Sequence, residues 1–259
     1  MTEHILVSRA NRILRIQLNR PERKNALTGA MYDAMREAIL SSNADPAIRV
    51  IFIHGAADCF TAGNDLAEFQ DLQRMLRERP AIKFLDAIST AVKPIVVAVA
   101  GPAVGIGTTL LLHCDLAYAA QSTRFQMPFA SLGLCPEGSS SMALERMAGH
   151  VQAAELLMLG ERFSAERALA MGLVNAVLPD AELMSHAESK VAQLAMQPPA
   201  AIRATKALMR RWSAPRVAEV LQAEAEMFGE RLASPEFAEA ARAFFEKRKP
   251  DFSQSESQT

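Results

Sequence analysis

Cysteine is scarce in this sequence and long apolar runs are missing, and each shortage removes a class of protein. Cys59, Cys114 and Cys135 are the three cysteines. None forms a CxxC pair, and an odd count does not build a secreted disulfide scaffold. The five histidines are scattered, and none falls in HExxH or another metal-binding spacing, so no metal site is expected. The longest markedly apolar run, Pro94–Ala100, is far shorter than the roughly 20 residues a membrane-spanning helix needs. The opening stretch MTEHILVSRANR has no signal-peptide shape. Charge of one sign is also lacking: 28 Lys and Arg face 29 Asp and Glu, for a formal charge of -1. That balance leaves no global footprint for nucleic acid or an anionic membrane. By absence of the alternatives, the expectation is a cytoplasmic chain with no nucleic-acid and no membrane partner.

The composition is ordinary for a globular protein. Half the residues are apolar and 22% charged over a length of 259, enough for one large core or one core plus a small appendage. Ile5–Val7 and Ile13–Leu18 read as a hairpin around Ala10-Asn11-Arg12. Thr28 can cap a helix with Met31, Met35 and Ile39 on its apolar face. Arg49–His54 and Ile95–Ala100 read as buried strands, and Ala81–Thr90 and Thr108–His113 as helices. Asp115–Ala119 and Arg124–Gln126 are short strands. Helices follow at Ser139–Met147, Val151–Leu159, Ala165–Met171 and Ala181–Ala195, with a last strand at Leu173–Val177. From about Pro198 only helices remain, at Ala201–Arg211, Arg216–Gly229 and Pro235–Lys247, before a polar tail that should fray. The division is an α/β body over residues 1–195 and a helical region over 196–259. Leu221, Ala225 and Phe228 could pack on the body or against another subunit.

Two glycine turns before helices carry chemistry. In Phe60-Thr61-Ala62-Gly63-Asn64-Asp65-Leu66 the glycine lets the chain bend and present free N–H groups. In Gly101-Pro102-Ala103-Val104-Gly105-Ile106-Gly107 a buried strand leads into a helix start, whose unpaired N–H groups and dipole favour negative charge. Aimed at an oxygen that gains charge, such N–H groups are worth several kcal/mol. Taken alone, each turn reads more readily as plain structure than as a site.

The ordered set of segments resembles the enoyl-CoA hydratase/isomerase, or crotonase, superfamily. It runs from Asn19-Arg20-Pro21 and Asn25-Ala26-Leu27 through Phe60–Leu66, Lys93–Gly101 and Cys114–Ala119 to Ala165–Val177, and covers roughly residues 5–210. The resemblance implies an α/β fold, a crotonase-type β-β-α spiral with a helical C-terminal region used in assembly as a homotrimer or dimer of trimers. It implies an acyl-CoA substrate and no separate cofactor. The matching oxyanion donors are the backbone N–H groups of Asn64 and Ile106, the latter standing where glycine is common. The two glutamates of the family's hydratases match Thr109 and Phe129 here, neither of which titrates near neutral pH, so hydration is disfavoured. Glu137, in Leu134-Cys135-Pro136-Glu137-Gly138-Ser139, resembles the proton-shuttling base of the peroxisomal-type Δ3,Δ2-enoyl-CoA isomerases.

The resemblance therefore implies conversion of 3-enoyl-CoA to 2-trans-enoyl-CoA by one carboxylate. The alternatives are a hydratase or other acyl-CoA thioester enzyme, or a non-catalytic acyl-CoA-binding homologue. Arg23, Lys24, Ala26, Ala62, Asp65, Leu66 and Lys206 are the candidates for contact with coenzyme A, each basic one equally readable as solvated surface. Asp65 also reads as a cap, Glu68 as a first-turn helix carboxylate, Cys135 as pocket lining rather than a nucleophile, and His113 as a packed residue rather than a base.

Overall fold

The first turn of the chain shows its cause in its backbone angles. Asn11 and Arg12 have φ of 51° and 68°, the left-handed pair that a two-residue type I′ hairpin demands. A computed structural model describes residues 2–56, 58–71 and 76–253, without the side chains of 69–71. Among the described residues the strands are β1 Ile5–Ala10, β2 Ile13–Leu18, β3 Val50–His54, β4 Ile95–Val99, β5 Pro102–Val104, β6 Leu116–Ala120, β7 Arg124–Gln126, β8 Phe163–Ser164 and β9 Ala176–Leu178.

Six strands form the large sheet in the order β1-β2-β3-β4-β6-β9. β1 and β2 are antiparallel, and every later neighbour is parallel. β2 alternates, with Leu14, Ile16 and Leu18 buried, whereas β3 and β4 are buried throughout. Continuous burial is what a parallel sheet covered on both faces requires. On one face Val50, Phe52, Val96 and Ala98 meet Leu183, Ala187 and Val191 of the Leu183–Met196 helix. On the other, Ile51, Ile53, Ile95 and Val97 join the main core with Met31, Met35, Ile39, Phe84 and Ile88.

A second sheet, β5-β7-β8, is extended by isolated parallel bridges between Thr61 and Ala103 and between Leu27 and Asn64. Each circuit of the chain lays one strand in the large sheet and one segment in the small sheet, then returns through a helix. This is the expected β-β-α spiral. The returning helices are held by local chemistry. Thr28 Oγ1 accepts the Met31 N–H at 3.4 Å at the start of Gly29–Ala44, and Ser164 Oγ accepts the Arg167 N–H at 3.3 Å before Ala165–Ala170, both side-chain N-caps. No described helix is long and apolar enough to cross a membrane.

The helical C-terminal region consists of Pro199–Arg210, Ala214–Leu232 and Pro235–Glu246. Leu221 and Phe228 pack against the main core and Ala225 is buried, so within this chain that face lies on the body.

Several expectations need correction. β5 and β8 were not anticipated, since strands of three and two residues show no periodicity. The last strand is Ala176–Leu178 rather than Leu173–Val177. Leu173 instead closes the preceding helix, donating its N–H to Ala168 O at 2.9 Å, and Leu173 and Val174 are buried in the main core. The polar tail is pinned at its described start, where Asp251 N–H donates to Glu239 Oε1 at 2.9 Å. Residues 254–259 of that tail, and residues 72–75, lie outside the described residues.

Candidate active site

The site begins with the buried side chain of Asn25. Its Oδ1 accepts the Arg20 N–H at 2.6 Å and its Nδ2 donates to Cys59 O at 2.9 Å. Thr61 Oγ1 donates to Asn25 O at 2.6 Å and accepts the Gly63 N–H at 3.0 Å. Arg20 Nη1 reaches both Ala26 O at 2.9 Å and Asp65 Oδ2 at 2.6 Å. The loop after β2 is thereby stapled along 59–65. Leu27 N–H donates to Gly63 O and Asp65 N–H to Leu27 O, at 2.8 and 2.9 Å. In that alternation the Asn64 N–H points away from Leu27, and it meets no acceptor among the described residues.

Ile106 opens the helix Ile106–Thr109. As a first-turn N–H it has no intrahelical acceptor, and none of the described residues supplies one. The Ile106 side chain is buried in the main core, so the bulk that replaces glycine is absorbed by packing. Gly63 lets the two loops meet: at φ 89° its Cα faces Val104, and a Cβ there would stand 2.8 Å from Val104 O. Tyr32 Oη donates to Asn64 Oδ1 and its ring packs on Phe84 with centroids 5.6 Å apart, which fixes the Asn64 side chain from below the loop.

Asn64 and Ile106 both line a cleft of about 540 Å³, together with Arg23, Ala26, Ala62, Asp65 and Leu66. Its apolar side is Phe129, Leu132, Leu134 and Phe228. Lys24 is not on its wall, although Lys24 O accepts the Ala62 N–H at 2.9 Å. Asp65 also supports its loop, accepting the Ala67 N–H at 3.0 Å; burial pushes its carboxyl up, but the Arg20 and Ala67 hydrogen bonds with the charges of Arg20 and Arg23 together hold it below the ordinary range. Asn64 and Phe228 further border a small apolar cavity of about 50 Å³ walled by Leu76, Pro80, Ile82 and Leu232.

Glu137 is buried and is not on the wall of the larger cleft. Its Oε1 accepts the Thr109 hydroxyl at 2.5 Å. Thr109 stands three residues after Ile106, so one helical turn separates the carboxyl's anchor from the second free N–H. Burial lifts the Glu137 carboxyl from an ordinary 4.5 to about 8, opposed by the Thr109 hydrogen bond and reinforced by the charge of Glu224. His113 Nε2 lies 2.9 Å from Gly138 O. A carbonyl only accepts, so that nitrogen carries the hydrogen, and burial pushes the imidazole down to about 4. His113 is therefore a neutral packed group at physiological pH.

Two further expected residues lie off the cleft wall within one chain. Lys206 is buried away from this cleft, with Nζ donating to Lys93 O and Asp115 Oδ2, both at 2.7 Å. It borders a different cleft with Arg203 and Arg210, so within one chain it does not approach the ligand site. Cys135 lines neither pocket next to Asn64. Its Sγ sits 3.9 Å from Glu224 O, and burial pushes the thiol up to about 11, which leaves no thiolate for nucleophilic chemistry. Glu68 caps a helix other than its own, accepting the Gly29 N–H at 3.1 Å. Tyr32, Glu224, Arg162, Gln126, Phe244 and Phe245 were missed. The last four line the cleft from segments without a local motif.

A family model described as enoyl-CoA hydratase/isomerase matches residues 8–255. Enoyl-CoA delta isomerase 2 of Rattus norvegicus is 34% identical over 252 residues, covering 95% of this chain. The chain spans only 64% of that relative's length. The 2,3-dehydroadipyl-CoA hydratase of Escherichia coli K12 is 33% identical over 252 residues, covering 96% of this chain and 98% of its own. Among solved structures, Pseudomonas aeruginosa OdaA superposes with a TM-score of 0.91 at 46% identity, covering 94% of this chain and 99% of that one.

Proposed function

Since the chain belongs to the enoyl-CoA hydratase/isomerase family, we propose that it binds an acyl-CoA thioester and moves a 3,4 double bond to the 2,3 position, with Glu137 as the sole proton carrier. The observation behind this reading is the buried Glu137 carboxyl, raised to about 8, hydrogen-bonded one turn from a free backbone N–H. Glu137 takes the proton from C2 of the thioester. The electron pair spreads to C4 and to the thioester oxygen, and that oxygen receives the Asn64 and Ile106 N–H groups. The protonated Glu137 then delivers its proton to C4, and the double bond rests in conjugation with the thioester. No atom is gained or lost and no oxidant is needed. A base whose proton affinity lies near working pH serves both transfers.

Arg23, from the loop stapled by Asn25, and Arg162 are the basic residues on the cleft wall and are assigned to the phosphates of coenzyme A. Ala26, Ala62, Asp65 and Leu66 border its remaining length. The acyl tail is assigned to the apolar cavity beyond Asn64 and Phe228.

A second reading, hydration of a 2-enoyl thioester, has the hydratase named among the relatives in its favour. Against it, Thr109 and Phe129 offer no carboxyl, and the other buried carboxylate near Glu137, that of Glu224, already accepts three hydrogen bonds. The test is a screen of 3-enoyl and 2-enoyl thioesters of several lengths, followed by absorbance of the conjugated product. Isomerisation should be found, and Glu137→Gln should lower kcat by about 10²- to 10⁴-fold. Isomerisation at an intact rate in the substituted protein would sink the mechanism. Water addition in place of isomerisation would favour the second reading, and tight acyl-CoA binding with no turnover would favour a binding homologue. Because the base must be ionised, kcat/KM should climb about tenfold per pH unit at acid pH and level off above about 8.

A further inference from the structure

The turn that carries Glu137 is one the backbone does not adopt readily. Gly138 and Ser139 lie side by side in the left-handed region, at φ 73° and 56°. A Cβ at Gly138 would stand 2.9 Å from Thr109 Cβ, so glycine is required there, but Ser139 has no such freedom and must be held. Part of the hold is near in sequence, the His113 hydrogen bond to Gly138 O. The rest comes from Glu224, on the C-terminal helix Ala214–Leu232. Its Oε2 accepts the Ser139 N–H at 2.6 Å. Its Oε1 accepts the Ser141 N–H at 3.0 Å and the Ser141 hydroxyl at 2.5 Å. Glu224 is only 8% exposed. A buried carboxylate is tolerated only where hydrogen bonds replace water, and here the donors are Ser139 and Ser141, two and four residues after Glu137. Four residues along the same helix, Phe228 lines the cleft, so one helix face touches both the ligand site and the base's support.

We propose that Glu224 is a positioning residue for the reaction, a carboxylate bracket reaching from the C-terminal helix that aims the Glu137 carboxyl without touching substrate. This inference rests on the reading of Glu137 as the base. It goes beyond a plain cap on the Ser140–Ala148 helix, because besides Ser141 in that helix's first turn the bracket holds the N–H of the strained Ser139 ahead of it.

The bracket carries charge as well as geometry. The titratable groups facing the pair are Tyr32 from the Gly29–Ala44 helix, His113, Cys135 and, beside Cys135, Arg231. Tyr32 is pushed well up by burial and Cys135 to about 11, while His113 is neutral above about 4. Arg231 lies against Cys135 and makes its ion pair with Glu236 at 2.9 Å. Burial raises the Glu224 carboxyl too, opposed by its hydrogen bonds from Ser141 and Ser139, and in its ionised form Glu224 holds the Glu137 proton on to higher pH.

Glu224→Gln keeps the size, removes the charge and turns an amide NH₂ toward a backbone N–H. With 3-enoyl-CoA as substrate, kcat should fall about 10- to 100-fold while KM stays within about twofold, and the acid limb of the pH profile should move to lower pH. A role in folding alone would lower thermal stability and leave that limb in place, and an unmoved limb with unchanged kcat overturns the proposal. Should Glu224→Gln fail to fold, Ser141→Ala removes one of the three donors, and kcat should fall about 3- to 10-fold with KM unchanged; no change overturns the proposal. The Glu137 carboxyl can also be titrated directly by infrared difference spectroscopy, its band identified by its loss in Glu137→Gln. That titration should shift downward in Glu224→Gln whatever the catalysed reaction. If Glu137→Gln retains activity, the base assignment fails while the infrared shift still reads the bracket; if the shift is absent, the bracket fails.

Discussion

Glu137 sets a cost and a capability with the same side chain. In the unfolded chain its carboxyl ionises near an ordinary 4.5, and in the folded chain it stays protonated to about 8. Between those values the folded state holds one more proton, so stability falls as pH rises across that window and the full cost is present above about 8. Glu137→Gln should therefore be more stable than the parent by a few kcal/mol at pH 9 at the most, with the advantage shrinking toward pH 5. Denaturant unfolding at the two pH values measures this, and a pH-independent difference would contradict the assigned burial. Tyr32 tests the other end of the site. Tyr32→Phe removes the hydroxyl that holds Asn64 Oδ1 and keeps the ring on Phe84. It should lower kcat about 5- to 10-fold, the worth of one hydrogen bond, with the melting profile nearly unchanged. An unaltered kcat would mean that the Asn64 N–H is aimed by the backbone alone.

At the level of elements, the proposed oxyanion site depends on how closely the segment Thr61–Asn64 approaches β5. Thr61 N–H donates to Pro102 O at 3.0 Å and Val104 N–H to Thr61 O at 3.1 Å. Those bonds place the free N–H of Asn64 and that of Ile106 at the rim of one cleft. Gly63→Ala puts a methyl group 2.8 Å from Val104 O at a φ of 89°, which strains the turn by about 1–3 kcal/mol and forces the two loops apart. Losing the alignment of one donor should lower kcat about 10²- to 10³-fold, read by steady-state kinetics alongside circular dichroism to show a folded protein. Retained kcat in a folded variant would separate the donors from the reaction. The individual elements were largely legible: the Thr28 cap, the alternation in β2 and the apolar runs of β3 and β4 all announce themselves. β5, which packs the Asn64 and Ile106 loops together, did not, because three residues in a glycine-punctuated stretch carry no period to read.

Across the whole molecule, the helices after residue 198 leave an apolar surface uncovered. Leu208, Met209 and Trp212 are 64%, 76% and 83% exposed, a grouping that a monomer does not need at the end of one helix. Assembly as a trimer or dimer of trimers is the proposal this surface supports, together with the resemblance. Sedimentation should give a mass above that of one chain, and Trp212→Glu with Met209→Glu should lower it. A monomer in the unsubstituted protein would overturn the assembly reading. The helix Ala214–Leu232 belongs to the same region, yet it packs Leu221, Ala225 and Phe228 inward. The C-terminal region thus faces the site on one side and solvent on the other.

The sequence by itself determined the local features of this protein. The Thr28 cap, strand runs, the polar break of the first hairpin and the two glycine turns depend on interactions within a few positions, so the residues carry their own evidence. The ordered motifs were also enough to place the chain in its family and to single out Asn64, Ile106 and Glu137. Tertiary structure alone decided what surrounds them. Thr109 meets Glu137 across 28 positions, His113 reaches the residue after it across 25, and Glu224 grips Ser139 across 85. Within one chain it also turned Lys206 away from the candidate cleft, against Asp115. Contacts at such separations leave no periodic or positional trace in the chain, and a carboxyl's proton affinity depends on the burial and the neighbours those contacts create.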